Sequence, residues 1–300
     1  MKSYHGLVLI GLISIQFVSA RLENVNIKHG KVKLLSMKEM RFCYISFVTV
    51  DGEKYLIKQK KPLNKLLGVV RDALTAHIAE SFGIGMAHRV DIIPAGKEFP
   101  GKFRADWPAT IHTIAPGKMI KAQEGAYYEM KIKQANIGFR RDMLPWMIKH
   151  ETLVKVVALD TFLCNHDRHR GNLFYNVKTD SFCAIDMDSA WKYNLCALAC
   201  NNFTEMLNDK KLQLSTKEVK ALTLYRDYIQ FLIDNHQPED TIKMYDYFAE
   251  KAGFVEGSDL YTQKFAEGLA YNKTMIMRSY QDAKKLVTIV DQLIKKHKKL

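Results

Sequence analysis

The eight residues Asn165-His166-Asp167-Arg168-His169-Arg170-Gly171-Asn172 contain no apolar side chain, yet they lie between the apolar Phe162-Leu163-Cys164 and Leu173-Phe174-Tyr175. A run this polar cannot enter a core unless its groups pair with one another, because an unpaired charge out of water costs more than packing supplies. The pattern before it is helical and the pattern after it is strand-like, so the run is read as a loop joining the two. Fourteen residues after Asn172 a second acidic group, Asp186-Met187-Asp188, directly follows the strand-like Phe182-Cys183-Ala184-Ile185. Catalytic groups are commonly mounted on loops at strand ends.

Two acids and an amide at these intervals match the needs of phosphoryl transfer. One carboxylate orients the acceptor hydroxyl and takes its proton, oxygen ligands from an Asn and a second Asp hold Mg²⁺ against the phosphates, and a Lys offsets the remaining phosphate charge. Asp167, Asn172 and Asp186 supply the oxygen groups. The interval from Asp167 to Asn172 equals that between base and metal-binding Asn in the kinase catalytic loop.

The pattern Asn165-x-Asp167-Arg168-His169-x-x-Asn172 followed by Ile185-Asp186 resembles phosphatidylinositol 3- and 4-kinases, bacterial HipA-type protein kinases and the actin-fragmin kinase. Ordinary protein kinases read His-Arg-Asp, whereas here Asp-Arg-His puts the aspartate first. The resemblance implies an α+β, two-lobed protein-kinase-like fold, with a small β-rich N-lobe and a larger helical C-lobe. It implies ATP and Mg²⁺ (or Mn²⁺) as cofactors, with Asp167 as catalytic base and Asn172 and Asp186 as metal ligands. Lys58, in Tyr55-Leu56-Ile57-Lys58, stands where such kinases carry the phosphate-binding lysine. Its acidic partner is sought on the following helix, at Asp72 or Glu80. Asp72 is preferred because Gly68, Thr75, Ala76 and Ala79 form a small-residue face that a sheet can approach closely. Two departures stand out. Only Gly30 is available where a glycine-rich phosphate loop would lie, and Asp188 could share the metal role of Asp186.

The rest of the chain fits two lobes. Residues 31–60 read as strands with a hairpin turn at Asp51-Gly52, and Pro62 opens a helical stretch to about Phe82. Val90 to Pro94 and Ala109 to Ile114 read as further strands, closed by Pro116-Gly117. Beyond residue 117 helices are expected at about 142–164, 216–235, 238–252 and 258–297, interrupted by the β-rich insert from Asn172 to Trp191. The lobes are therefore placed at 21–117 and 118–300, with a hinge near Ile111 to Lys118. Arg168 is read as pairing with Asp160 or another acid, His169 as bracing the loop, and His166 as facing solvent.

Residues 1–20 read as a signal peptide: Lys2, an apolar run from Gly6 to Val18, and the small-residue site Val18-Ser19-Ala20 ahead of Arg21. Export is the expectation: secretion, delivery to a host cell, or a secretory-pathway lumen. Five cysteines are an odd number and do not form a disulfide framework, so buried thiols are expected. Asn202-Phe203-Thr204 and Asn272-Lys273-Thr274 fit the glycosylation pattern. Hydrophobic residues at 47% and charged residues at 26% exclude wholesale disorder. A net charge of +13 favours polyanionic partners, including an anionic membrane surface touched by the Lys295-Lys296-His297-Lys298-Lys299 tail. No nucleic-acid motif is present, which argues against that partner. The acceptor is a protein Ser/Thr or a phosphoinositide hydroxyl. A small-molecule kinase of the aminoglycoside or choline type would have its His two residues before the base, whereas His166 immediately precedes Asp167. An inactive binding module would not need Lys58, Asp167, Asn172 and Asp186 together.

Overall fold

A computed structural model describes residues 32–61, 65–82, 90–96, 102–115, 117–119, 143–169, 171–192 and 203–297. The signal-peptide reading, Cys196, Cys200, Asn202 and the last two tail lysines lie outside the described residues. The chain divides into two compact units, 1–114 with 245–268, and 115–244 with 269–300.

The first unit is built on a five-stranded antiparallel sheet in the order β1-β2-β3-β5-β4: β1 Val32–Glu39, β2 Cys43–Val50, β3 Glu53–Lys60, β4 Val90–Ile93 and β5 Ala109–Thr113. The β2–β3 hairpin closes at Asp51-Gly52, with φ of 51° and 89°. Two successive left-handed residues give the turn the twist that antiparallel strands need, and Asp and Gly tolerate that conformation. Residues directly opposite one another share a sheet face. One face carries Val48, Val50, Ile57, Ile93, Ala109 and Ile111 as a buried apolar cluster. Register places Ile45, Lys58 and Thr110 on the other face, and Phe47, Leu56 and His112 beside them. Gln59 ties the segment at 104–107 to the sheet, donating to the carbonyls of Arg104 and Trp107 and accepting from Arg104 N.

Helix α1, Leu67–Ser81, lies against the Lys58 face and is buried almost all round, Arg71 and Asp72 included. The expected opening at Pro62 lies outside the described residues. Residues 245–268 return to this unit, a grouping that the one-dimensional pattern does not reveal. Lys251 pairs with Asp91 at 2.7 Å, and Phe248 meets the His77 ring edge-on.

The second unit contains the short helix α2 Leu144–Met147, α3 Glu151–Phe162, α4 Phe203–Asn208 and α5 Thr216–Asn235. Its sheet is β6 Lys118–Met119, β7 Leu173–Asn176 and β8 Ser181–Ala184, in the order β6-β7-β8. Two further helices, α6 Pro238–Lys251 and α7 Gln263–His297, run through both units. The single helix expected over 142–164 is broken. His150 is extended, at φ −131° and ψ 100°, because its ring is held elsewhere. Nδ1 meets Asp180 at 2.9 Å, and the ring packs edge-on to Tyr175 and Phe182. Helix α5 starts where a capping box stands: Ser215 Oγ accepts from Glu218 N, and Glu218 Oε2 accepts from Ser215 N. Thr161 and Tyr225 share a buried hydrogen bond of 2.9 Å between α3 and α5.

Three readings of the sequence change here. Asn272 is buried within α7, so its glycosylation pattern is out of reach in the folded chain. Lys296 is not a free tail cation, since its ammonium donates to the carbonyls of Leu207 and Asp209 at the end of α4. His166 is half-buried rather than solvent-facing. Cys43, Cys164 and Cys183 are buried thiols, as expected.

Gly117 has φ of 88°, and a Cβ there would stand 2.4 Å from the Tyr175 carbonyl oxygen. Gly117→Ala is expected to cost about 1–3 kcal/mol from the strained conformation alone, read as a lowered urea midpoint. His77 offers a pH test. Burial holds its pKa below the ordinary value of 6.5, so in that window the unfolded chain binds a proton that the folded chain does not. Stability is therefore full above about pH 6.5 and falls as pH drops through that value towards the folded pKa. Between about pH 7.5 and 5.5 the unfolding midpoint of the wild type should fall further than that of His77→Gln.

Candidate active site

In the second unit the polar run folds around one buried guanidinium. Arg168 Nε donates to Asp160 Oδ2 at 2.8 Å and Nη2 to Asp160 Oδ1 at 3.0 Å, a two-pronged pair at the end of α3. Arg168 Nη1 donates to the main-chain oxygen of Asn172 and to that of Ile185 at 2.8 Å. The two carbonyls flank the metal-ligand candidates, because Ile185 immediately precedes Asp186. Ile185 N also donates to Asn172 O at 3.1 Å. One arginine thus sets the separation of the loop carrying Asn172 from the strand end carrying Asp186. Burial alone would lower the Arg168 pKa, but the charge and hydrogen bonds of Asp160 outweigh it and raise the net value, so the guanidinium stays charged.

Smaller contacts complete the loop. Asn165 Nδ2 donates to Asp160 Oδ1 at 2.8 Å, and Asn165 Oδ1 accepts from Asp167 N at 3.3 Å. Asn172 Nδ2 donates to Asp167 O at 3.1 Å. Asp167 is therefore held through its main chain by both asparagines, and neither bond uses its carboxylate. The Asn172 amide engaged through Nδ2 keeps Oδ1 as its acceptor end. His169 Nδ1 accepts from Gly171 N at 2.8 Å, so His169 does brace the loop. A Cβ at Gly171 would lie 2.6 Å from the His169 ring, so a side chain there would require that ring to shift. Asp186 is half-buried and left-handed at φ 55°, an uncommon conformation for a residue other than Gly. Asp188 is half-buried too, and accepts from Ser189 Oγ at 3.3 Å.

An amide oxygen with one or two carboxylates is a hard-oxygen donor set that suits Mg²⁺. That ion keeps several waters and binds mostly through substrate phosphates, so it needs few protein ligands. The described residues contain no cluster of three or more His, Cys, Asp or Glu that could hold a metal unaided.

In the first unit Lys58 Nζ stands 3.6 Å from Asp72 Oδ2, which makes Asp72 rather than Glu80 the residue found at the lysine. Both side chains are buried, at 6% and 1% exposure. Two neighbours escaped the sequence reading. His112 Nε2 lies 3.8 Å from Asp72 Oδ2 and 2.7 Å from Thr110 Oγ1, and Thr110 Oγ1 donates to Lys58 O at 3.3 Å. The alternation along β5 puts Thr110 and His112 on one face, but only the strand register puts that face with Lys58. Phe47, 38% exposed, and the half-buried Ile45 and Leu56 add apolar surface beside the lysine.

No family model matches the chain, and no curated protein matches it. Among solved structures it is similar to the proinflammatory kinase CtkA of Helicobacter pylori, with 13% identity and a TM-score of 0.50 over 86% of this chain and 97% of that one. The chain has a protein-kinase-like fold. Weaker likenesses are to the N-terminal 618-residue fragment of LepB from Legionella pneumophila (14% identity, TM-score 0.43, 87% of this chain and 45% of that one) and to aminoglycoside phosphotransferase APH(4)-Ia (11%, 0.32, 92% and 98%). The five-stranded antiparallel sheet and the helical C-terminal part are the elements of that fold.

Arg168→Gln removes the charge that Asp160 requires and is expected to cost about 3–5 kcal/mol in chemical unfolding. Asp160→Leu/Arg168→Met should cost less than the sum of its two single changes, because no unpaired charge remains.

Proposed function

We propose that this chain is an ATP-dependent kinase whose catalytic loop is of the phosphatidylinositol 3-/4-kinase, HipA-type and actin-fragmin kinase group. Its acceptor is an alcohol, a protein Ser/Thr or a phosphoinositide hydroxyl. One observation carries the reading: a single buried arginine bonds the main chain at Asn172 and next to Asp186, spacing an amide and a carboxylate beside Asp167. A set of surface caps and ion pairs would have no need of that arrangement.

In this reading Asn172 and Asp186 hold Mg²⁺, with Asp188 available as a further oxygen ligand. Bound there, the ion would offset negative charge on the phosphates. Lys58, kept in place by Asp72, is the phosphate-binding lysine of this reading. Asp167 orients the acceptor hydroxyl and takes its proton onto a carboxylate oxygen. The acceptor oxygen forms the new bond to the γ-phosphorus, the bond to the bridging oxygen breaks, and ADP leaves.

The division of labour is testable. Asp167→Asn should leave Mg·ATP binding nearly intact and lower turnover by roughly 10²–10⁴-fold, the scale of a lost general base. Asp186→Asn should weaken Mg·ATP binding itself. Calorimetric titration paired with γ-phosphate transfer to proteins and to phosphoinositides measures both. Full turnover by Asp167→Asn would remove it from the catalytic role and overturn the proposed mechanism.

A further inference from the structure

The connection between β1 and β2, Met40-Arg41-Phe42, is an apolar tip set among cations. Leu35, Met40 and Phe42 are 46%, 41% and 43% exposed. The turn is held in shape by hydrogen bonds from Met40 N to Cys43 O at 2.8 Å and from Lys61 N to Phe42 O at 2.9 Å. The Phe42 ring has Arg41 Cζ 4.9 Å and Lys65 Nζ 3.5 Å from its centroid, and Lys61 Nζ lies 4.4 Å from the centroid of Tyr44. Lys38 precedes the turn, and Lys102 N donates to Met37 Sδ, which sets Lys102 alongside β1. Glu39 is the acid at the tip, and Lys61 already pairs with it at 2.6 Å. Among the described residues just named, five are cations and one is an acid.

A projecting turn has no groove in which to seat the side chains of a peptide. It can, however, be pressed into a planar, deformable phase. Apolar chains then enter the boundary between headgroups and acyl chains, while cations on flexible stems reach the lipid phosphates. Each Lys or Arg near such a surface gains from its negative potential. We propose that the β1–β2 tip is a docking surface for an anionic lipid bilayer, with Met40 and Phe42 entering the interface and Lys38, Arg41, Lys65 and Lys102 meeting lipid phosphates. This places the membrane contact in the first unit rather than at the C-terminal lysine tail, where Lys296 is occupied as a helix cap. Among the described residues no helix is long and apolar enough to cross a membrane. It stands independently of phosphoryl transfer.

The test is co-sedimentation of the full chain with vesicles of phosphatidylcholine alone and of phosphatidylcholine mixed with phosphatidylserine, with the fold of each variant checked by thermal unfolding. The wild type should prefer the phosphatidylserine vesicles and lose binding as salt is raised. Met40→Ser/Phe42→Ser and, separately, Arg41→Ser/Lys65→Ser should each weaken that binding by about tenfold or more. Phe231→Ser, at another exposed phenylalanine (39%), should leave it unchanged. Equal binding by all variants, or no preference for phosphatidylserine, would overturn the proposal. So would a wild-type dimer in sedimentation velocity that Met40→Ser/Phe42→Ser converts to a monomer, because the tip would then be covered by a second copy.

Discussion

The pairing of Asp160 with Arg168 is the interaction on which the candidate site rests. Two charges leave water here, each at a cost of several kcal/mol that Coulomb attraction offsets only when the geometry is close and the other polar atoms are satisfied. Both conditions are met. The carboxylate takes two prongs of the guanidinium, and Nη1 reaches the carbonyls of Asn172 and Ile185. Lysine could not substitute, because a point-like ammonium has no planar fork with which to hold a helix end, a loop and a strand end at once. The left-handed backbone at Asp186, next to Ile185, is tolerated because the surroundings hold it there.

The first unit solves a related problem with a different chemistry. Lys58 and Asp72 are both buried, and their 3.6 Å separation is looser than that of Arg168 and Asp160. Asp72 also faces His112, which joins Thr110 and through it the main chain of Lys58. A helix buried nearly all round, with an acid at its centre, gives up some stability to hold that acid against a sheet.

Much of this was legible because local chemistry demanded it. The Asp51-Gly52 hairpin, the strands at 90–93 and 109–113, and helices α5 and α6 follow from turn residues, alternation and helical periodicity, and they lie within a residue or two of their expected bounds. That Arg168 pairs with an acid and that His169 braces the loop could be named because a charged run between apolar segments has few ways to satisfy itself, but that the acid is Asp160 came from the structure. Less was legible where long-range contacts overrode local preference. The break at His150 comes from ring packing against Tyr175 and Phe182, residues more than twenty positions away. The capping role of Lys296 depends on a helix end nearly ninety residues earlier.

By itself the sequence determined the class of the fold, the order of its longer strands and helices, and the residue types gathered in the loop from Asn165 to Asn172 and at Asp186. Periodicity and charge distribution are local properties of a chain and can be read along it. Only the tertiary structure decided that Asp72 rather than Glu80 meets Lys58, that His112 joins them, that Arg168 bonds the main-chain oxygens of Asn172 and Ile185, and that 245–268 groups with the N-terminal sheet. Each of these is set by strand register or by packing between elements distant in sequence, and a one-residue change in register would send a different set of side chains to the same face.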